Sequence, residues 1–199
     1  MEDEMRKFTA TLNGRVLLMH NSQLSDPLNE WVKEIRKITD KGSKKMGDAD
    51  HHEKSRLEFQ GGLWYDDDGL GPIIPGDAIN AMLVEGARKQ RRGVDFEASV
   101  FCDEAMFPLE YDGPRDREGL WNAGKFVDRR SAGIKDSRIM RTRPKFRDWS
   151  VTISFVVTDH SINTPEIKKA LDDAGQRIGI GDWRPRFGTF TVTEFAEVT

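Results

Sequence analysis

Three groups of residues in this 199-residue chain have the types and spacing for chemistry. The first is Trp183-Arg184-Pro185-Arg186-Phe187, set among Gly179, Gly181 and Gly188. Glycines let a backbone turn sharply or come close to a phosphate. Arg184 and Arg186 can neutralise phosphates, and Trp183 or Phe187 can stack on a base. Buried aromatics outnumber stacking platforms, so the two rings also read as plugs of a core, the favoured reading for them. The second group is the segment from Lys125 to Arg147. It carries Arg129, Arg130, Lys135, Arg138, Arg141, Arg143, Lys145 and Arg147 besides Lys125, against Asp128 and Asp136 alone. Such a density suits a polyanion, and equally a solvated basic loop. The third is Asp48, Asp50, His51, His52 and Glu53. Carboxylates and imidazoles bind zinc or manganese. Adjacent histidines point apart, however, and no His pair sits four residues apart, so a solvated loop is the stronger reading and no metal is assigned.

Nucleophilic catalysis has little support. Cys102 lies in an apolar pattern with no activating neighbour, and His20 and His160 have no evident partner. The Gly-x-Ser-x-Gly and Gly-Lys-Ser/Thr phosphate-loop motifs are absent. The expectation is a protein without catalytic residues or cofactor.

Bulk composition narrows the class. Apolar residues make up 37% and charged residues 33%, enough for one globular domain with insertions. The net charge of −3 argues against a general duplex-DNA binder but leaves local basic clusters open to nucleic acid. No run approaches the ~20 apolar residues of a membrane helix. The acidic start Met1-Glu2-Asp3-Glu4 predicts no secretory leader, and the single cysteine suits a reducing cytoplasm.

The elements that must position these groups follow from periodicity. Residues 6–19 alternate around Asn13-Gly14, predicting a hairpin or one bulged strand. Asp26-Pro27 opens a helix with Leu28, Trp31, Val32, Ile35 and Ile38 on a buried face. Residues 39–53 read as a mobile loop, 57–65 as a hairpin or bulged strand, and Asp66-Asp67-Asp68-Gly69 as a turn. A helix over 77–90 is stopped by Gly93, and Val94, Phe96, Ala98 and Val100 alternate as a strand over 94–102. Residues 103–148 show no sustained period but have room for a short hairpin with 125–131 and 137–143 as its arms. Trp149 to Val157 is the strongest strand pattern. Thr164 caps a helix over 164–178, and 189–195 is the last strand.

With 20–76 and 103–148 set aside as insertions, the order is strand, helix, strand, strand, helix, strand. That is the α+β ferredoxin-like βαββαβ order, one domain with an antiparallel sheet covered on one face by two helices. Its open face is available to a ligand. Ile74-Pro75-Gly76-Asp77-Ala78-Ile79 opening the first core helix resembles the Pro-Gly entry of the RAMP superfamily, the ferredoxin-like RNA-binding backbone subunits of CRISPR effector complexes. Gly179 to Gly188, between last helix and last strand, resembles their glycine-rich loop, with fewer glycines than is typical. The resemblance implies binding of single-stranded RNA or DNA along a homo-oligomer whose copies stack head-to-tail. Trp183, Arg184, Arg186 and the cations from Arg129 to Arg147 are the expected contacts. The alternatives are a structural or assembly protein, such as a phage protein, whose insertions clasp neighbours, and a metal-dependent nuclease using 48–53.

Overall fold

A computed structural model of the chain describes residues 5–134 and 137–198. The acidic start, residues 1–4, and Lys135 of the basic segment lie outside them. The elements in chain order are β1 (Arg6–Leu18), α1 (Glu30–Thr39), α2 (Asp48–Gly62), β2 (Tyr65–Asp66), β3 (Gly71–Pro75), α3 (Gly76–Arg88), α4 (Gly93–Ser99), β4 (Val100–Cys102), β5 (Met106–Pro108), α5 (Arg117–Asn122), β6 (Val127–Ile134), β7 (Ser137–Val157), α6 (Thr164–Asp173) and β8 (Phe190–Val198). The chain divides into two compact units. One holds the chain up to Leu17, Asp66–Asp112 and the chain from Phe146 onward; the other holds Leu18–Tyr65 and Gly113–Lys145.

The first unit carries the ferredoxin-like sheet, in the strand order β4-β7-β1-β8. This is the expected α+β architecture, with β1, β4, β7 and β8 as its four core strands. Alternation decides which face is buried. Phe8, Ala10 and Leu12 of β1 and Val151, Ile153, Phe155 and Val157 of β7 are at most 1% exposed. At roughly 1.5–3 kcal/mol for each large apolar side chain, this face outweighs any local preference in the strands. Ile79, Met82 and Leu83 of α3 and Ile167 and Leu171 of α6 are buried with it. Asn13-Gly14 makes no hairpin turn. β1 runs straight through and pairs antiparallel with β8 from Lys7↔Val198 to Gly14↔Phe190, with a register shift between Thr11 and Leu12. Gly14 is required for another reason: a Cβ there would overlap the Trp149 ring.

Three expectations fail in this unit or just before α4. Gly93 does not end α3. Arg91 does, by taking φ 61° while the Arg92 amide donates to the Ala87 carbonyl at 3.0 Å. Gly93 instead opens α4, so 94–99 is helical and only Val100–Cys102 is a strand. Phe96 is buried but Val94 is 80% exposed, so the alternating pattern never described one buried strand face. The α6 cap is Asn163 rather than Thr164: its side chain accepts from the Glu166 amide, and Glu166 accepts from the Asn163 amide, each at 2.9 Å.

The second unit departs further. Residues 48–62, expected as loop and then hairpin, are the helix α2. Its start is set by Asp50, which accepts the Gly47 amide at 3.1 Å, and its turns by the Arg56–Glu53 and Lys54–Glu58 pairs. The helix hides from pattern reading because its last half is buried on every side. Leu57, Glu58, Phe59, Gln60, Gly61 and Gly62 are all buried, so no one-sided stripe exists. α1 forms, but Asn29 caps it and none of its residues is fully buried. Leu28, expected on its inner face, is 73% exposed. β6 and β7 make the predicted hairpin, paired from Val127↔Pro144 to Ile134↔Ser137.

Glu58 ties this hairpin to α2. It is 4% exposed and accepts from the Thr142 amide at 2.9 Å and from Arg141 at 3.1 Å. Removing the carboxylate leaves the Thr142 amide without its acceptor, at a cost of roughly 1–3 kcal/mol, while the half-exposed Arg141 turns to solvent. Glu58→Ala is therefore expected to lower stability by about that amount in urea unfolding followed by tryptophan fluorescence. An unchanged midpoint would remove Glu58 as the anchor.

Candidate nucleic-acid interfaces

The glycine loop belongs to the first unit. After α6 the chain makes one wide turn over Ala174–Ile178 and enters the loop at Gly179. Buried Ile180 anchors it from below, and its amide donates to the Gly188 carbonyl at 2.9 Å. The Gly188 amide donates to the Val16 carbonyl of β1 at 2.8 Å. Gly188 sits at φ 77°, and a Cβ there would overlap the Ile180 carbonyl oxygen. Only glycine meets both demands.

Between these pinned ends the loop turns outward. Trp183 is 42% exposed, and its ring lies 5.8 Å from that of Phe187, with the Arg186 guanidinium 5.6 Å above it. This corrects the expectation that Trp183 plugs the core: Ile180 does so, Trp183 lies outside, and Phe187 is half-buried beside it. Arg184 reaches the Gly179 carbonyl at 3.5 Å. Neither Arg184 nor Arg186 pairs with a carboxylate among the described residues. Trp183, Arg184 and Arg186 are thus all exposed in one loop, with Arg186 over the Trp183 ring.

The open sheet face in the same unit has a different character. Thr9, Thr11, Thr152 and Thr193 line it with Glu194. Thr11 donates to Glu194 at 2.9 Å, Asn13 donates to Thr193 at 2.6 Å, and Lys7 pairs with Asp103 at 2.5 Å. The Thr11 and Thr152 hydroxyls bond to each other at 3.2 Å, and among the described residues lining this face there is no arginine.

The basic hairpin belongs to the second unit, apart from Arg147, which is exposed in the first. Cross-strand partners share a face. Arg129 faces Thr142 and Arg138 faces Gly133, on one side. Arg130 faces Arg141, and Asp128 faces Arg143, on the other. Arg141 and Arg143 share a face as expected, but the hairpin's cations as a whole divide between two. Directly opposed like charges repel, and each here has its own carboxylate. Arg130 donates to buried Asp128 at 2.8 Å, and Arg141 to Glu58. Arg130 and Arg141 are therefore structural cations first. Arg129, Arg138, Lys145 and Arg147 make no ion pair with a carboxylate among the described residues.

The 48–53 cluster is carried on the exposed start of α2. Asp50 pairs with Lys41 at 2.7 Å, and this hydrogen bond, with that of the Gly47 amide, holds its carboxyl below the usual range. The Arg56 hydrogen bond does the same for Glu53. Among the described residues no three His, Cys, Asp or Glu side chains converge to hold a metal ion. Burial, with Asp103 and Asp77 nearby, pushes the Cys102 thiol up to about 12, which makes it a poor nucleophile. No helix among the described residues is long and apolar enough to cross a membrane.

No protein-family model matches the chain, and no curated protein matches it. A similar solved structure is a chain in the cryo-EM structure of the Type III-B Cmr-beta bound to cognate target RNA. The two share 10% identity and superimpose with a TM-score of 0.55. The likeness covers 98% of this chain and 61% of that one, so this protein spans less than two thirds of its neighbour's length. At that identity the likeness is one of fold.

Closure of the loop is testable on its own. Gly188→Ala forces a side chain into the left-handed region and against a carbonyl, at a cost of at least about 2 kcal/mol. The expected result is a lower urea midpoint. Gly42, at φ 79° with open space around it, is the control: Gly42→Ala should cost clearly less.

Proposed function

We propose that this protein is a RAMP-like subunit that binds single-stranded nucleic acid, RNA in preference to DNA, without catalysing a reaction on it. The observation that carries this reading is the loop at 179–188. It stands between last helix and last strand of a ferredoxin-like sheet, as in the family its sequence resembles, and it holds Trp183, Arg184 and Arg186 outward with neither arginine bound to a carboxylate. The fold likeness to a chain of an RNA-bound assembly supports the choice of RNA. The hairpin adds Arg129 and Arg138 as backbone contacts. Each unit offers contacts of its own, the loop in the first and the hairpin in the second; the sheet face, with its threonines and Glu194, is not part of the reading. Copies stack along the strand in this reading, each using the same contacts.

The test is titration of labelled single-stranded RNA at two salt concentrations. Affinity is expected to fall as salt rises. Arg184→Glu with Arg186→Glu should weaken binding at least tenfold and reduce the salt slope by about 1.4, the value for two phosphate contacts on a single strand. Binding indifferent to both changes, or no binding at low salt, would overturn the proposal. Arg141 is unsuitable for this test, since reversing it also sets a second carboxylate against buried Glu58.

A further inference from the structure

The second unit contains a cleft of which the strand-binding reading uses Arg129 alone. Its volume is about 510 Å³, within the range of roughly 300–1,000 Å³ common for small-molecule sites. Asp48, His51, His52 and Ser55 of α2 line one part, Trp121 of α5 another, and Val127, Arg129 and Thr142 of the hairpin the rest. His52 and Trp121 meet edge to face, with centroids 5.5 Å apart, and Phe59 backs Trp121 at 5.4 Å. The walls therefore combine supported rings with a guanidinium.

Thr142 supplies the second, independent observation. It is 4% exposed, and its hydroxyl oxygen has no hydrogen-bond partner among the described residues. An unsatisfied buried hydroxyl costs roughly 1–3 kcal/mol, and valine would fill the same volume without that cost. A hydroxyl at the lining of a cleft is explained if something in the cleft bonds to it.

We infer that this cleft binds a nucleotide unit, a flat heteroaromatic base carrying a phosphate. The base lies against Trp121 and His52. Its polar edge meets the Thr142 hydroxyl, which can donate or accept, and Ser55, which is 8% exposed. The phosphate is neutralised by Arg129, a cation with no carboxylate partner among the described residues. Asp48 can accept from an exocyclic amino group. A free nucleotide and one nucleotide of a strand share this chemistry. The inference does not depend on the glycine loop, which lies in the other unit.

Calorimetric titration of the intact protein with AMP, GMP, CMP and UMP tests it, with ribose 5-phosphate as the ring-free control. At least one monophosphate is expected to bind with Kd of about 1 mM or tighter. Thr142→Val should weaken it roughly fivefold while leaving thermal stability unchanged or raised, a split that a purely structural threonine would not produce. His52→Ala should weaken it as well. A short RNA titrated into the Arg184→Glu, Arg186→Glu protein separates the two sources: sensitivity to Thr142→Val there, without monophosphate binding, identifies the ligand as part of a strand. Binding of ribose 5-phosphate as tight as AMP overturns the inference. So does the absence of any binding that responds to Thr142→Val, whatever becomes of the loop variants.

Discussion

The candidate strand-binding surface depends on one close approach of backbone to backbone. At Gly188 the chain passes so near the Ile180 carbonyl that no side chain fits, and from there it donates a hydrogen bond to Val16 of β1. That contact closes a ten-residue loop on itself and fixes it to the central sheet. Because Ile180 takes the inward position, Trp183 and Arg186 turn out, with half-buried Phe187 beside them. Their exposure follows from closure. Interactions that hold a flat base need a ring already in place, since ordering a flexible loop on binding would use up the affinity it provides.

The hairpin solves a different problem, that of carrying many cations in a small volume. Arg130 opposite Arg141 would be repulsive if both stood free. Asp128 and Glu58, both buried, each take one of them and in return hold the ribbon's geometry. The neutralised pair is framework. Arg129 and Arg138 on the other face are exposed and make no ion pair among the described residues. Counting basic residues along the chain overstated the available positive potential, because some of that charge is spent inside the unit on these carboxylates.

Much of the core was legible because two-residue alternation has few causes. Phe8-Ala10-Leu12 and Val151-Ile153-Phe155-Val157 have one face to bury, and the strand order follows once their helices are placed. The hairpin arms lack so regular a period, since Arg138, Arg141 and Arg143 alternate only partly with Ile139 and Met140. Elements failed where burial was not one-sided. α2 lacks a stripe because Glu58 and Gln60 are buried beside Leu57 and Phe59. α4 carries a strand-like pattern, yet Val94 points to solvent. The loop's arginines were legible as candidates, but the outward turn of Trp183 was not. It depends on Ile180 winning the inner position, a competition between two apolar residues that spacing alone does not decide. The cleft at Thr142 was invisible as well, since it joins residues 48–55 to residues 121–142 only after α2 has formed.

The central claim is that a nucleic-acid strand lies against the glycine loop. Photocrosslinking of thiouridine-labelled single-stranded RNA to the native protein, with the attached peptides identified by mass spectrometry, tests it most directly. The account predicts adducts within 179–188, centred on Trp183 and Phe187. Efficient crosslinking confined to the threonine-lined sheet face, with none in that loop, would contradict it.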